Sequence, residues 1–199
     1  LESVRALLRT ICPPQELAAI FVEPIQGEGG DIAAPPDFLR GLRAICDENQ
    51  ALLVLDEVQS GFGRTGKLFA CEHWDVHGDI LCLAKGIANG LPLGAIVARS
   101  DVMDWPSGSH ASTFGGNPVA CAAAVASLRL IERKYRANAE KRGAELQLGL
   151  GAIAEKFPIV REVRGRGLMI GMEVQNTQRK PDGRLRDRII DLAFHRGLL

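Results

Sequence analysis

The sequence is 199 residues long, carries 24 Lys plus Arg against 24 Asp plus Glu, and is 46% hydrophobic. This is the balance of an ordinary soluble globular chain, and zero net charge offers nothing to attract phosphate backbones or anionic lipid, so nucleic acid and membrane surfaces are excluded as partners. No stretch approaches the roughly 18 consecutive apolar residues of a spanning helix, and Leu1–Arg5 lacks a secretory pattern, so a cytoplasmic setting is expected.

Cys12, Cys46, Cys71, Cys82 and Cys121 are odd in number and contain no CxxC pair. They read as small buried apolar residues rather than bridges. After a short amphipathic start and Pro13-Pro14, Leu17–Val22 is an apolar run of strand length that stops at Glu23-Pro24, and Gln26–Gly30 is then a loop. Pro35-Pro36 opens a helix, because Phe38, Leu39, Leu42, Ile45 and Cys46 fall on one helical face. Ala51–Leu55 is a second buried strand, ending at Asp56-Glu57-Val58 and followed by the glycine cluster Gly61–Gly66.

A short helix-like stretch leads to a third strand, Ile80–Ala84, which stops at Lys85, and Leu93–Ala98 is a fourth. Continuous apolar strands alternating with helices predict an α/β fold with a parallel or mixed sheet covered on both faces. Pro118 starts an Ala-rich helix through Ile131, a charged stretch follows, and a domain boundary is expected near Arg136, dividing 1–135 from 136–199. A further helix to about Phe157, a glycine-interrupted apolar segment from Ile159 to Val174, and a helix from about Leu185 to His195 complete the chain. Gly197-Leu198-Leu199 reads as the beginning of a strand.

Three apolar strands thus end in charge, at Glu23, Asp56 and Lys85. Ligands of open α/β sheets lie outside the carboxyl ends of the strands, so two acids and a lysine are expected at one rim. For Glu23 a solvated turn residue is an equal reading. Lys85 lies between LCLA and GIANGLPLGAIV with no polar neighbour, and burial there would favour a neutral, nucleophilic amine. With an aspartate on a nearby strand end it meets the needs of pyridoxal phosphate, namely a lysine amine for the aldehyde and an acid to keep the ring nitrogen protonated.

Gly61-x-Gly63-x-x-Gly66 has dinucleotide spacing, but it does not leave the strand directly, and Lys85 stands where a ribose-binding acid is required. His73 and His77 are four apart but lack a third metal ligand. No GxSxG elbow is present.

Four motifs occur in order: VEPIQGEGG (Val22–Gly30), LDEVQSGFGRTGKLFACEH (Leu55–His73), LAKGIANGLPLGAIV (Leu83–Val97) and STFGGNPVACAAA (Ser112–Ala124). Together they resemble the class III, or ω-amino acid, aminotransferases, which are fold-type I pyridoxal phosphate enzymes. The resemblance implies that residues 1–135 are part of the cofactor-binding large domain and 136–199 part of the C-terminal small domain. It implies that Lys85 is the catalytic lysine that carries the cofactor, Asp56 the partner of the ring nitrogen, Val58 a contact to the ring face, and Gln59 a hydrogen-bond partner of the ring oxygen.

Thr113 corresponds to a residue that reaches the cofactor phosphate of a neighbouring subunit, which implies a homodimer with shared sites. Glu28 corresponds to a substrate-binding acid that pairs with a switching arginine. Arg164, in VRGRGLM, is expected to make a structural contact. The family's phosphate loop, its ring-stacking aromatic and the substrate arginine fall outside these residues, so the chain reads as a fragment. The implied reaction passes the amino group of an ω-amino acid such as 4-aminobutyrate to a 2-oxo acid, with 2-oxoglutarate the expected acceptor. Acetylornithine or ornithine as donor, racemisation or an aminomutase reaction on the same fold, and an inactive folding or dimerisation fragment are the alternatives.

Overall fold

The computed structural model describes residues 1–199. Its centre is a sheet of strands β1 (Ala19–Val22), β4 (Leu52–Asp56), β5 (Ile80–Leu83) and β6 (Ala95–Ala98), in the order β1-β4-β5-β6. The first three run parallel and β6 pairs antiparallel to β5. The carboxyl ends of β1, β4 and β5 therefore share one rim, and Glu23, Asp56 and Lys85 lie along it as the apolar runs predict.

Between β1 and β4 the chain forms a small antiparallel pair, β2 (Ile25–Gln26) with β3 (Ile32–Ala33). The segment read as plain loop is therefore the tight connection of this pair, closed where the amides of Gly30 and Asp31 donate to Gly27 O. Helix α1 (Glu2–Thr10) is the amphipathic start, and α2 (Phe38–Glu48) buries Leu39, Leu42, Ile45 and Cys46 as its periodicity requires. Three of these four, Leu39, Leu42 and Cys46, form one core with Leu53 and Leu55 of β4, with Trp74, and with Met169.

Residues paired in register share a face of the sheet. Phe21, Val54, Ile80 and Ala98 thus lie together, as do Asp56, Cys82 and Ile96. α2 and its core cover the opposite face. On the Phe21 side cover is incomplete, since Phe21 is 72% and Ile96 52% exposed. The expected cover on both faces is thus partial within this chain: Val54, on the same face, is buried, whereas Phe21 and Ile96 are not.

Helix α3 (Pro118–Leu130) is N-capped by Asn117, whose Oδ1 accepts from the Ala120 amide at 2.9 Å. Its small residues Ala120 and Ala124 allow close approach to Phe62, Leu83, Ile87 and Ala88, forming a second core directly beneath the turn after β5. Near Arg136 the helix does not stop. A single π turn, Ile131–Tyr135, joins α3 to α4 (Arg136–Lys156), because the charged stretch contains no Gly or Pro breaker.

The segment after α4 is a hairpin of β7 (Val160–Arg166) and β8 (Met169–Val174). Helix α5 (Gly183–Phe194) follows, capped by Asp182. Leu198 and Leu199 join no strand. No helix is long and apolar enough to cross a membrane. Cys46 and Cys71 are buried, whereas Cys12, Cys82 and Cys121 are only half-buried, and all are unbridged.

An acid absent from the sequence reading ties these layers together. Asp79 precedes β5 and is almost completely buried. Its Oδ2 accepts from Arg43 of α2 at 2.7 Å and from the Leu53 amide at 2.7 Å, while Oδ1 accepts from Arg99, just past β6, at 2.8 Å. Burial alone would raise its carboxyl, but the Leu53 amide and the two guanidinium groups outweigh burial and hold it below the ordinary value.

A folded-state value below the unfolded one stabilises the fold at neutral pH, and that contribution is lost as pH falls through the folded value. Asp79→Asn is therefore expected to lower stability at pH 7 by about 2 kcal/mol. The gap to wild type should close as pH falls below the ordinary aspartate range. Urea denaturation of both proteins across this pH range checks the sign and the window.

Candidate active site

Asp56 ends β4 half-buried on the open face, beside its register partner Cys82. Its Oδ1 accepts from the Val58 amide at 3.0 Å, closing an Asx-type turn that directs the chain away from the strand. Burial, followed by the charge of Asp56, pushes the Cys82 thiol up. Glu57, the next residue, turns the other way and is wholly buried. Val58 and Gln59 follow on the rim.

Lys85 opens a single 3₁₀ turn, Lys85–Ala88, with φ at +44°. A non-glycine residue in this left-handed region costs on the order of 1–3 kcal/mol and persists only where its surroundings over-determine it. Ile87 and Ala88, buried against α3 and Phe62, supply that constraint. The lysine itself is exposed, and its Nζ donates to Gln59 Oε1. This corrects the expected burial: the apolar flanks of Lys85 face the alanine helix below, while the left-handed turn sends the amine outward to Gln59.

Gln59 is held from its other side by Gly27, where a Cβ would collide with Gln59 Nε2. The Gly27 amide donates to Glu23 Oε2 at 2.9 Å, so Glu23 closes this loop locally. A cleft of about 350 Å³ opens beside Lys85, lined by Asp31, Val58, Gln59, Arg64 and the hairpin residues Leu168 and Ile170. A second, of about 530 Å³, runs from Val58 past Cys82 and Ile96 to Trp105 and Ser112. Val58, Gln59 and Lys85 thus share the first cleft, and Asp56, which lines neither cleft, adjoins them at the end of β4 through its bond to the Val58 amide.

Glu28 and Thr113 stand apart from that group. Glu28 is exposed at the tip of the β2–β3 connection. Its charge reaches Asp31, whose carboxyl is raised first by burial and further by Glu28, against the lowering effect of Arg164. Thr113 is exposed on the loop whose neighbours Ser112 and Gly115 line the larger cleft. Arg164 makes the expected structural contact. Its Nε donates to Gly30 O at 2.8 Å, and its Nη1 donates to Glu173 at 2.8 Å and Glu162 at 3.0 Å, tying the hairpin to the β2–β3 connection. His73 Nε2 lies 3.1 Å from Thr65 Oγ1, and burial, with Arg166 next, lowers its pKa.

The hairpin reaches the cleft through its glycines. Leu168 N donates to Arg64 O at 2.9 Å. Gly167, at φ +56°, abuts Thr65 so closely that a Cβ would lie 2.5 Å from the Thr65 carbonyl carbon. Gly167→Ala is expected to cost about 1–3 kcal/mol by overpacking and strain. Gly151→Ala, in open space on α4, should instead stabilise by up to about 1 kcal/mol. Thermal denaturation of the two variants checks the contrast.

The class III aminotransferase family model matches residues 1–199. The chain is 47% identical to the acetylornithine aminotransferase of Caldanaerobacter subterraneus subsp. tengcongensis, covering 87% of this chain and 44% of that protein. It is 43% identical to the 4-aminobutyrate aminotransferase of Escherichia coli K12, covering 99% of this chain and 47% of that protein. An amine transaminase from an uncultivated Pseudomonas species, crystallised with pyridoxal phosphate bound, superposes with a TM-score of 0.90 at 38% identity, over 100% of this chain and 48% of that one. The chain spans under half the length of these relatives. With the four motifs, the three-stranded parallel rim and a match along its whole length, this chain belongs to the class III aminotransferase family.

Proposed function

We propose that these residues form part of a pyridoxal phosphate-dependent aminotransferase that passes the amino group of an ω-amino acid such as 4-aminobutyrate to a 2-oxo acid, with 2-oxoglutarate as acceptor. In this reading 1–135 belong to the cofactor-binding domain and 136–199 to the small domain. The observation that carries it is the convergence of Lys85, Gln59 and Asp56 at the carboxyl ends of neighbouring parallel strands.

The donor set fits the cofactor: a primary amine, a side-chain amide already within reach of that amine, and a carboxylate at the adjacent strand end. When bound, pyridoxal phosphate supplies an aldehyde for the amine and an electron-withdrawing ring for the substrate carbon. Lys85 would hold the group through Nζ and, with that amine free, would take a proton from the amine-bearing carbon of the substrate and return it to the carbon on the far side of the substrate nitrogen. Asp56 would keep the ring nitrogen protonated by its charge, Gln59 would donate from Nε2 to the ring oxygen, and Val58 would fix the ring plane by contact. Thr113, exposed, suits contact with a second subunit's cofactor phosphate, hence a homodimer with shared sites.

A second donor, acetylornithine or ornithine, rests on the 47% identity to an acetylornithine aminotransferase. Full-length protein incubated with 2-oxoglutarate and each donor in turn should form glutamate fastest from 4-aminobutyrate. Faster turnover of acetylornithine would reassign the donor, and glutamate from neither would overturn the reading.

Asp56→Asn is expected to lower turnover roughly a hundredfold, a loss of a few kcal/mol of charge stabilisation. Cofactor affinity should change far less, because the other contacts still hold the ring. Glu28→Gln should impair the half-reaction with the ω-amine more than that with glutamate, since the acid has a purpose only while a donor lacking a nearby carboxylate is bound. Single-turnover kinetics of the two half-reactions measures this split, and equal losses would remove Glu28 from substrate selection.

A further inference from the structure

Glu57 has no solvent-accessible surface, yet it lies between Asp56 and Val58. Every hydrogen-bonding group it carries is engaged. Its amide donates to Cys82 O at 3.0 Å and its carbonyl accepts from the Gly61 amide at 2.9 Å. Its Oε2 accepts from Ser60 Oγ at 2.6 Å and from the Ala70 amide at 3.0 Å, while Oε1 accepts from the Cys71 amide at 2.7 Å.

Burying a carboxylate is costly unless donors replace its water, and an apolar side chain would fill the same volume without that cost. The carboxylate does something an apolar side chain does not: it ties the turn Glu57–Gly61 to the 3₁₀ segment Ala70–Trp74 with fixed direction. Alternation along the strand then sends Asp56 to the open face while Glu57 points inward. Gln59, two residues on, emerges toward Lys85.

We propose that Glu57 is a positioning residue of this site, its buried carboxylate setting the directions in which Asp56 and Gln59 meet the cofactor. The inference rests on the functional reading above and adds a residue to it. It requires that loosening Glu57 alter the cofactor's electronic environment as well as the stability of the fold. With Asp56 misaligned, a bound ring nitrogen would carry less positive charge, and the Lys85 nitrogen joined to the cofactor would be more basic.

The test uses full-length protein loaded with pyridoxal phosphate, as wild type, Glu57→Gln and Glu57→Asp. Gln keeps the volume but faces the Ala70 or Cys71 amide with a donor. Asp keeps the charge but is one methylene too short to reach every partner. The pH midpoint of the cofactor's visible absorption, read without substrate, is expected to rise by about one unit in both variants. Turnover should fall roughly tenfold with KM little changed.

Variants that melt earlier but keep the wild-type absorption midpoint and turnover would overturn the proposal and make Glu57 a core group only. Should both fail to fold, Ser60→Ala, which removes one donor and leaves the carboxylate, carries the same readings. A smaller upward shift supports the proposal, and an unaltered midpoint overturns it. Wild type that takes up no pyridoxal phosphate would overturn the functional reading itself, which is a different result from a variant that binds the cofactor with an unaltered band.

Discussion

The parallel pairing of β4 with β5, in the register that sets Asp56 beside Cys82, is the constraint on which the rest of the site depends. Strand side chains alternate, so slipping this register by one residue would exchange the exposed and buried sets. Asp56 would then turn into the core, and Glu57, with its ring of donors, would face solvent. The apolar residues Leu53 and Leu55 oppose that slip, because they fill the core against α2. Asp79 opposes it from the other end of the strands by binding the Leu53 amide and two arginines from separate elements.

Packing at the rim converts that register into side-chain geometry. The alanines of α3 let the helix approach the turn after β5, and the buried Ile87 and Ala88 hold Lys85 in a backbone conformation it would otherwise leave. The amine is thereby aimed at Gln59, itself confined by Gly27. Local strain at one residue is thus offset by apolar burial a turn later. From the opposite side, the hairpin closes the cleft through Gly167, where only a missing side chain allows its backbone to meet Thr65.

Much of this was legible in the sequence, for physical reasons that differ by element. Continuous apolar runs marked β1, β4 and β5, since strands within a parallel sheet have little use for polar residues. The charges that ended them marked the rim. The periodicity of Phe38–Cys46 and the Pro118 start located α2 and α3 closely. Glu57 and Asp79 were not legible as anchors, because an acid's burial depends on donors far along the chain, such as Ala70 and Arg43, and leaves no local signal. Lys85 misled in the opposite sense. Its apolar neighbours announced burial, but they belong to a turn whose buried side chains lie on one side and whose lysine lies on the other.

The most direct test of the account is the identity of the lysine that holds the cofactor. Full-length protein incubated with pyridoxal phosphate, reduced with borohydride and mapped by peptide mass spectrometry should carry the label on Lys85, the one lysine that follows a strand of the parallel sheet at a glycine-rich turn. A label on Lys67 or on any other lysine, or a Lys85→Ala variant labelled as fully as wild type, would contradict it.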